Sequence, residues 1–281
     1  MRCLLFACLL CGSLLATTAT FAQFGNGGTA AVRKIQQTET LVVLDPALYD
    51  DAYNEEIQAV FKKYWTFTKF RFISGPQVPK YCKDAHYSFF MQLEMEDNTL
   101  TSGHYTDVGL LQGGRCGLSR FDMVSYSTIS PYNTEAETYR VELVRAVQMI
   151  QNYMQLALDN NLGADNVVES VRLYRKNQAA LERATFGVET VDLLEEYQTI
   201  DKVKEYYTFP VRVAEYPELA AATLNQRDDL VYHVLVRDIE GFRYHLLIRA
   251  KGSQVVFAKE AKRKERVLLG KENLHDFCAK Q

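Results

Sequence analysis

Lys62-Lys63-Tyr64-Trp65-Thr66-Phe67 returns about 140 residues later as Lys204-Glu205-Tyr206-Tyr207-Thr208-Phe209. In each copy a segment with helical spacing precedes the motif and an extended stretch follows it. Each copy then reaches a Tyr-led strand, Tyr87-Ser88-Phe89-Phe90-Met91 in the first and Tyr232-His233-Val234-Leu235-Val236 in the second. A repeat of this period predicts two structural units of related fold rather than a solenoid. An aromatic cluster closing an amphipathic helix, and doing so twice, reports packing between helix and sheet; a sugar-stacking platform is the alternative.

Working outward from the first copy, Thr40-Leu41-Val42-Val43-Leu44 is a β-branched run ended by Asp45-Pro46 and reads as a buried strand. Asp50 or Asp51 can cap the following helix, whose apolar positions are Tyr53, Ile57, Val60, Phe61 and Tyr64. Lys69 to Ile73 is a second strand, broken by Gly75-Pro76, and the first two strands should pair in parallel around the helix. A hairpin of 86–96 and 105–112 follows, with its tip at Asp97-Asn98-Thr99. Tyr87, Phe89, Met91, Leu93 and Met95 share one of its faces.

Thr134-Glu135-Ala136-Glu137 is a capping box after Pro131, and the helix it opens runs to about Leu158. A turn at Asp159–Gly163 leads to a second helix over 165–183, and so short a turn predicts antiparallel packing of the two. The second unit reads as a strand at Thr190–Leu194, a helix at Asp201–Tyr207, a strand at Val211–Ala214, a helix at Pro217–Leu224, a hairpin, and a strand at Gln254–Lys259. A three-residue loop, Ile239-Glu240-Gly241, sets the register of that hairpin. It places Tyr232, Val234 and Val236 beside Phe242, Tyr244, Leu246 and Ile248. The expected fold class is α/β (α+β), with two related β-α-β-(α)-β-β units joined by an antiparallel helical hairpin. The boundaries are a signal peptide at 1–22, a flexible leader at 23–31, a first unit at 32–130, the helical connector at 131–184 and a second unit at 185–281.

The signal reading rests on Arg2, the apolar run Leu4–Leu15 and small residues at Thr20-Phe21-Ala22, which predict a mature start at Gln23. That run is too short to span a bilayer. An exported, soluble protein of the periplasm or the exterior is expected, with no transmembrane segment. The chain carries 32 basic and 35 acidic residues, a balance that argues against nucleic acid or an anionic membrane as partner. The basic run Lys259–Arg266 reads as a solvated tail. Three of the six cysteines leave with the signal. Cys82 just before one hairpin strand and Cys116 just after its partner lie where antiparallel strands bring their ends together. A Cys82–Cys116 bridge with Cys278 free is the expectation, and three unrelated thiols the alternative.

The hairpin register also collects His233, Arg237, Arg243, His245 and Arg249 on the face opposite the apolar set. Two imidazoles and three guanidinium groups could hold a small anionic ligand or an acidic partner. The same alternation is the ordinary look of a half-covered antiparallel sheet. The histidines show no metal-ligand spacing, so no metal is expected. Gly113-Gly114-Arg115-Cys116-Gly117 lacks the Gly-Lys-Ser/Thr ending of a phosphate cradle, and no Gly-x-Ser-x-Gly elbow occurs. No catalytic set and no cofactor emerge from the pattern.

The element order resembles the thioredoxin-like topology, without a Cys-x-x-Cys in the mature chain and therefore without the redox activity that motif implies. The opening strand, the helix ending in Tyr64-Trp65-Thr66-Phe67-Thr68 and the signal ending in Phe21-Ala22-Gln23 resemble exported proteins of Bacteroidota-type bacteria. That resemblance implies no activity and no site residues. The expected function is non-catalytic binding or assembly with a protein partner. Binding of a small anionic ligand on the His/Arg face is the alternative.

Overall fold

The computed structural model describes residues 27–44, 51–94, 106–119, 122–129, 136–164, 166–237, 242–261 and 268–279. The signal segment, the first hairpin's tip, the Asp45-Pro46 strand end, the Thr134 capping box, the Ile239–Gly241 loop and most of the Lys259–Arg266 run lie outside them. Among the described residues no helix is long and apolar enough to cross a membrane.

The protein is a mixed α/β structure of two five-stranded mixed sheets. The first unit runs β1 (Glu39–Leu44), α2 (Asp51–Tyr64), β2 (Lys69–Ser74), α3 (Val78–Tyr81), β3 (Tyr87–Glu94), β4 (Thr106–Gln112) and β5 (Met123–Ile129), preceded by α1 (Thr29–Gln36). The second runs β6 (Thr185–Val188), α6 (Ile200–Lys204), β7 (Val211–Val213), α7 (Tyr216–Leu224), β8 (Leu230–Arg237), β9 (Arg243–Arg249) and β10 (Gln254–Ala261). α4 (Ala136–Asn160) follows the first sheet, α5 (Val167–Arg175) comes next, and α8 (Lys271–Cys278) follows the second sheet. The sheet orders are β2-β1-β3-β4-β5 and β7-β6-β8-β9-β10, the same order twice. In both, the first strand pairs in parallel with its two neighbours and the remaining strands are antiparallel.

The apolar spacing of α2 buries Tyr53, Ile57, Val60 and Phe61 against Val42 and Phe90 of the first sheet. α4 closes the same core and carries it across to the second sheet. It packs on α1, α2 and β5 on one side and on α7, β10 and the Lys251–Ser253 turn on the other. Leu230, Tyr232, Val234, Leu246 and Ile248 therefore share one buried cluster with Val42, Phe61 and Phe90. The opposite face of the second sheet has its own core, where Phe186, Val188, Val231 and Leu247 meet Val203 of α6 and Leu274 and Phe277 of α8.

The aromatic echo is a packing corner in both units. Trp65 stacks on Phe61 with centroids 4.9 Å apart, and Tyr207 lies 5.1 Å from Phe186. Cys82 and Cys116 are paired at disulfide distance, with Cα atoms 5.0 Å apart, and Cys278 is free. The second hairpin has the expected register: Tyr232 faces Ile248, Val234 faces Leu246 and Val236 faces Tyr244.

Several details depart from the sequence reading. Thr29–Ala31, placed in the flexible leader, belong to α1, and Thr29 Oγ1 donates to the Ala157 carbonyl at 2.5 Å. A Cβ on Gly28 would stand 2.3 Å from the Gly163 carbonyl carbon, so the glycine there serves close backbone approach. The first strand of the second unit is Thr185–Val188, and Thr190–Asp192 is a 3-10 turn. The helix expected over 165–183 breaks after Arg175 into a 3-10 stretch, Gln178–Arg183. α5 packs chiefly on β10, and its buried Val167, Leu173 and Tyr174 join the same core cluster as α4. β5 and α8 carry weak patterns and were not anticipated. β5 buries Ser125 and Ser127, which breaks its apolar alternation.

Candidate functional site

β6 sits between its two parallel neighbours, and the crossovers that leave β6 and β7 run over opposite faces of the sheet. α6 contributes Val203 to the outer core, whereas α7 contributes Leu219 and Ala222 to the shared core. Crossovers that part in this way make the carboxyl ends of β6 and β7 the place where open α/β sheets usually offer a ligand crevice. The Ala214 amide donates to the Val188 carbonyl at 3.0 Å and holds the ends of β6 and β7 together. Glu189 leaves β6 at this point, Glu215 leaves β7, and the 3-10 turn carries Asp192 across to β8.

Asp192 begins a polar row that crosses the sheet. Its Oδ2 lies 3.0 Å from His233 Nδ1, and His233 Nε2 lies 3.0 Å from His245 Nδ1. His245 faces Lys259 across β9 and β10, and Lys259 Nζ pairs with Asp276 of α8 at 2.8 Å. The row is buried: His233 is 6% exposed, His245 0% and Lys259 8%. Lys259 is thus a buried ion-pair partner rather than part of a solvated tail. Burial, helped by the neighbouring His233 and the Lys259 charge, pushes His245 down to about 3. Burial, with Asp192 and Glu215 as negative neighbours, raises Glu189 to about 7. His245 is accordingly neutral at physiological pH. Its Nε2 is buried without a hydrogen-bond partner among the described residues.

The hydrogen bonds constrain the protons. With His233 neutral, Nδ1–H donates to the Asp192 carboxylate, Nε2 accepts from His245 Nδ1–H, and His245 Nε2 is a bare acceptor. With His233 protonated, Nε2–H donates to His245 Nδ1, and His245 takes the other tautomer. The row can therefore hold a proton in either of two arrangements, and the buried Nε2 of His245 offers it no onward partner among the described residues. Among the described residues no hydroxyl or thiol hydrogen-bonds either imidazole, and no three His, Cys, Asp or Glu side chains are arranged to hold a metal.

Of the five residues picked from sequence, the structure joins His233 and His245 and disperses the rest. Arg249 turns to Asp228 at 2.9 Å and lines a separate cleft of about 600 Å³ with Arg183 and Asp229. Arg243 is half-buried at the far end of the strand pair, opposite Arg237, whose side chain lies outside the described residues. The two imidazoles are buried, with the Thr190–Asp192 turn bonded to His233 and α8 paired to the neighbouring Lys259, so a soluble anion does not meet them on an open face. Sequence reasoning missed Glu189, Asp192 and Lys259. Lys259 could have been found by extending the hairpin register one strand further; Asp192 could not, because it belongs to a turn read as strand.

The equivalent face of the first sheet carries a different network. Ser88 Oγ meets Thr38 Oγ1 at 2.8 Å and Thr40 Oγ1 at 3.0 Å, Thr40 reaches Thr68 at 2.5 Å, and Trp65 Nε1 donates to Thr68 at 3.1 Å. No protein-family model, no curated protein and no solved structure matches this chain, so the functional reading rests on these residues alone.

Proposed function

We propose that this is an exported, non-catalytic binding protein whose contact surface is the crevice at the carboxyl ends of β6 and β7, and that its occupant carries a cationic group beside apolar surface. The carrying observation is where the exposed apolar side chains fall. Among the described residues four large ones are exposed, and three of them, Val191 (72%), Val213 (37%) and Tyr216 (37%), flank this crevice. Isolated exposed apolar residues need no explanation, but their concentration at a crevice is the mark of a contact site. Glu189, Asp192 and Glu215 supply the complementary charge. The apolar segment at Leu4–Leu15 supports export, and a Cys82–Cys116 pair suits an oxidising compartment.

The test is a nitrogen-15 NMR titration of the mature chain with N-acetyl-lysine methylamide and a Lys-Val-Arg tripeptide, with citrate as the anionic comparison. Saturable shifts are expected at 188–192 and 213–216, weakened when Glu189→Gln and Glu215→Gln are combined. If no cationic probe shifts those amides, the crevice reading is lost. The anionic-ligand alternative is favoured by the cleft that holds Arg183 and Arg249. Citrate shifts confined to that cleft would decide for it. Export is tested separately by N-terminal sequencing of the natural protein, where a start at Gln23 is expected.

A further inference from the structure

We infer that the Asp192–His233–His245 row is an acid-operated latch that holds the crevice-forming turn and the lead into α8 onto the second sheet and releases them together when the imidazole pair takes up a second proton. Asp192 is the joint. Its side chain is bonded to His233 of β8, while its carbonyl accepts the Leu269 amide at 2.6 Å. Leu194 N donates back to the Leu269 carbonyl at 3.0 Å, and Leu193 and Leu269 form a parallel bridge. One residue thus ties the sheet, the turn and the segment that starts α8.

The two protons are not equivalent. A charge on His233 would face the Asp192 carboxylate at 3.0 Å and strengthen the joint, because a hydrogen bond between charged groups outranks a neutral one. A second proton has to go to His245, which is sealed from solvent, lies 3.0 Å from the first imidazole and faces Lys259 on the next strand. The charges facing the pair are Asp192 and Glu189 from the turn, Glu215 from the end of β7, and Lys259 with its partner Asp276 from β10 and α8. Asp192 already serves His233, Asp276 already serves Lys259, and among the described residues neither Glu189 nor Glu215 hydrogen-bonds His245, whose Nε2 has no partner. Buried, uncompensated charge is resolved by exposure. Exposing His245 requires the turn and α8 to lift, which dissolves the wall carrying Glu189 and Val191. Acid would release whatever the crevice holds.

This inference gives the proposed crevice a regulation, but the latch itself is testable without any ligand. Amide exchange of the mature chain, each rate divided by the intrinsic rate at that pH, should show Asp192–Leu194 and Leu269–Gly270 protected between about pH 8 and pH 6. Below about pH 5 both stretches should lose at least ~10-fold protection together, while α4 and β1 stay protected. The variant His245→Phe (H245F) keeps a ring of similar shape and cannot take the proton, so its opening should vanish over the same range. Should that variant fail to fold, Asp192→Asn serves instead: loss of the compensating charge should move opening to higher pH. The latch is overturned if the wild-type stretches stay protected at about pH 4, if α4 and β1 open at the same pH, or if H245F or Asp192→Asn opens as the wild type does. A cation titration at neutral pH, read on the same sample, reports on the crevice independently.

Discussion

The two sheets have one strand order and differ in what they place beneath the first crossover helix. In the first unit that position holds hydroxyls: Thr38, Thr40, Thr68 and Ser88 satisfy one another, with the Trp65 indole. In the second, His233 lies on the equivalent strand and face as Ser88 and extends through His245 toward Lys259. A hydroxyl network can be closed within itself and is indifferent to pH. An imidazole pair needs a carboxylate, and that carboxylate has to come from outside the sheet. The difference also shows in the helices. α4 belongs to both units and cements the first sheet into the shared core, whereas α8 is short and belongs to the outer core alone. One fold thus serves as a fixed base in one copy and a titratable face in the other.

The strongest way to break this comparison is to cut each core at its centre. Phe90 and Phe186 are both fully buried, the first in the shared core 4.7 Å from Phe61, the second in the outer core 6.2 Å from Phe277. Phe90→Ala and Phe186→Ala should each cost about 3–5 kcal/mol. Their spread should differ. Trp65 is the only tryptophan and sits in the shared core. Phe90→Ala should shift its fluorescence transition and the circular-dichroism transition together in denaturant. Phe186→Ala should leave a circular-dichroism transition preceding the fluorescence one. Coincident transitions in both variants would mean that the two cores unfold as one.

The disulfide is the next difference. It joins residues 34 apart around the first hairpin and has no counterpart in the second unit. Replacing Cys82 and Cys116 together by Ser should cost about 4 kcal/mol by the loop-closure argument, and the loss should appear in the denaturant midpoint of the first unit's transition. Peptide mapping without reduction checks the pairing itself.

How far these features could be read from sequence follows from the range of the interactions. The echo, the parallel first strands, the second hairpin's register and the cysteine pairing all depend on neighbours in sequence or on the strict two-residue period of a strand. From that period alone His233 and His245 fall on one face. What covers that face does not. Asp192 reaches His233 only because β6 ends at Val188 and the chain turns there, and α8 is placed by Phe277 packing on Phe186 and Phe257. Alternation could not tell an open Arg/His face from a sealed one, so Arg249 was grouped with imidazoles from which the fold separates it.

The two polar networks differ in how they answer to acid. Thr40→Val removes a fully buried hydroxyl bonded to Ser88 and Thr68, and should cost about 1–2 kcal/mol at every pH. His245 behaves otherwise. Its folded value of about 3 lies below the ordinary histidine range, so below neutrality the unfolded chain binds the extra proton. The stability it permits is complete above about pH 6.5 and declines as pH falls toward 3, by about 2 kcal/mol at pH 5. H245F should flatten that slope in a series of denaturant midpoints against pH. A wild-type slope that survives the substitution would place the acid sensitivity elsewhere.

Glu189 gives the smallest effect and has the opposite sign. Its value is raised to about 7 by burial and by Asp192 and Glu215, so the folded state holds its proton more tightly than the unfolded chain does. Stability from this group is full below about pH 4.5 and is lost as pH rises through 7. The shift alone implies about 3 kcal/mol, but the carboxylate is partly open to water, and screening reduces the effect to about 1 kcal/mol or less. Glu189→Gln should therefore stabilise the protein slightly at about pH 8 and leave it unchanged near pH 4, measured by denaturant midpoint. Paired with H245F, it separates two titrations at one corner of the second sheet. On the proposed reading, the charge on this residue beside exposed Val191 is what a bound cation would compensate. A cationic probe should therefore bind more tightly as pH rises from 6 to 8, with release of the Glu189 proton. Binding that does not depend on pH across that range would take Glu189 out of the contact.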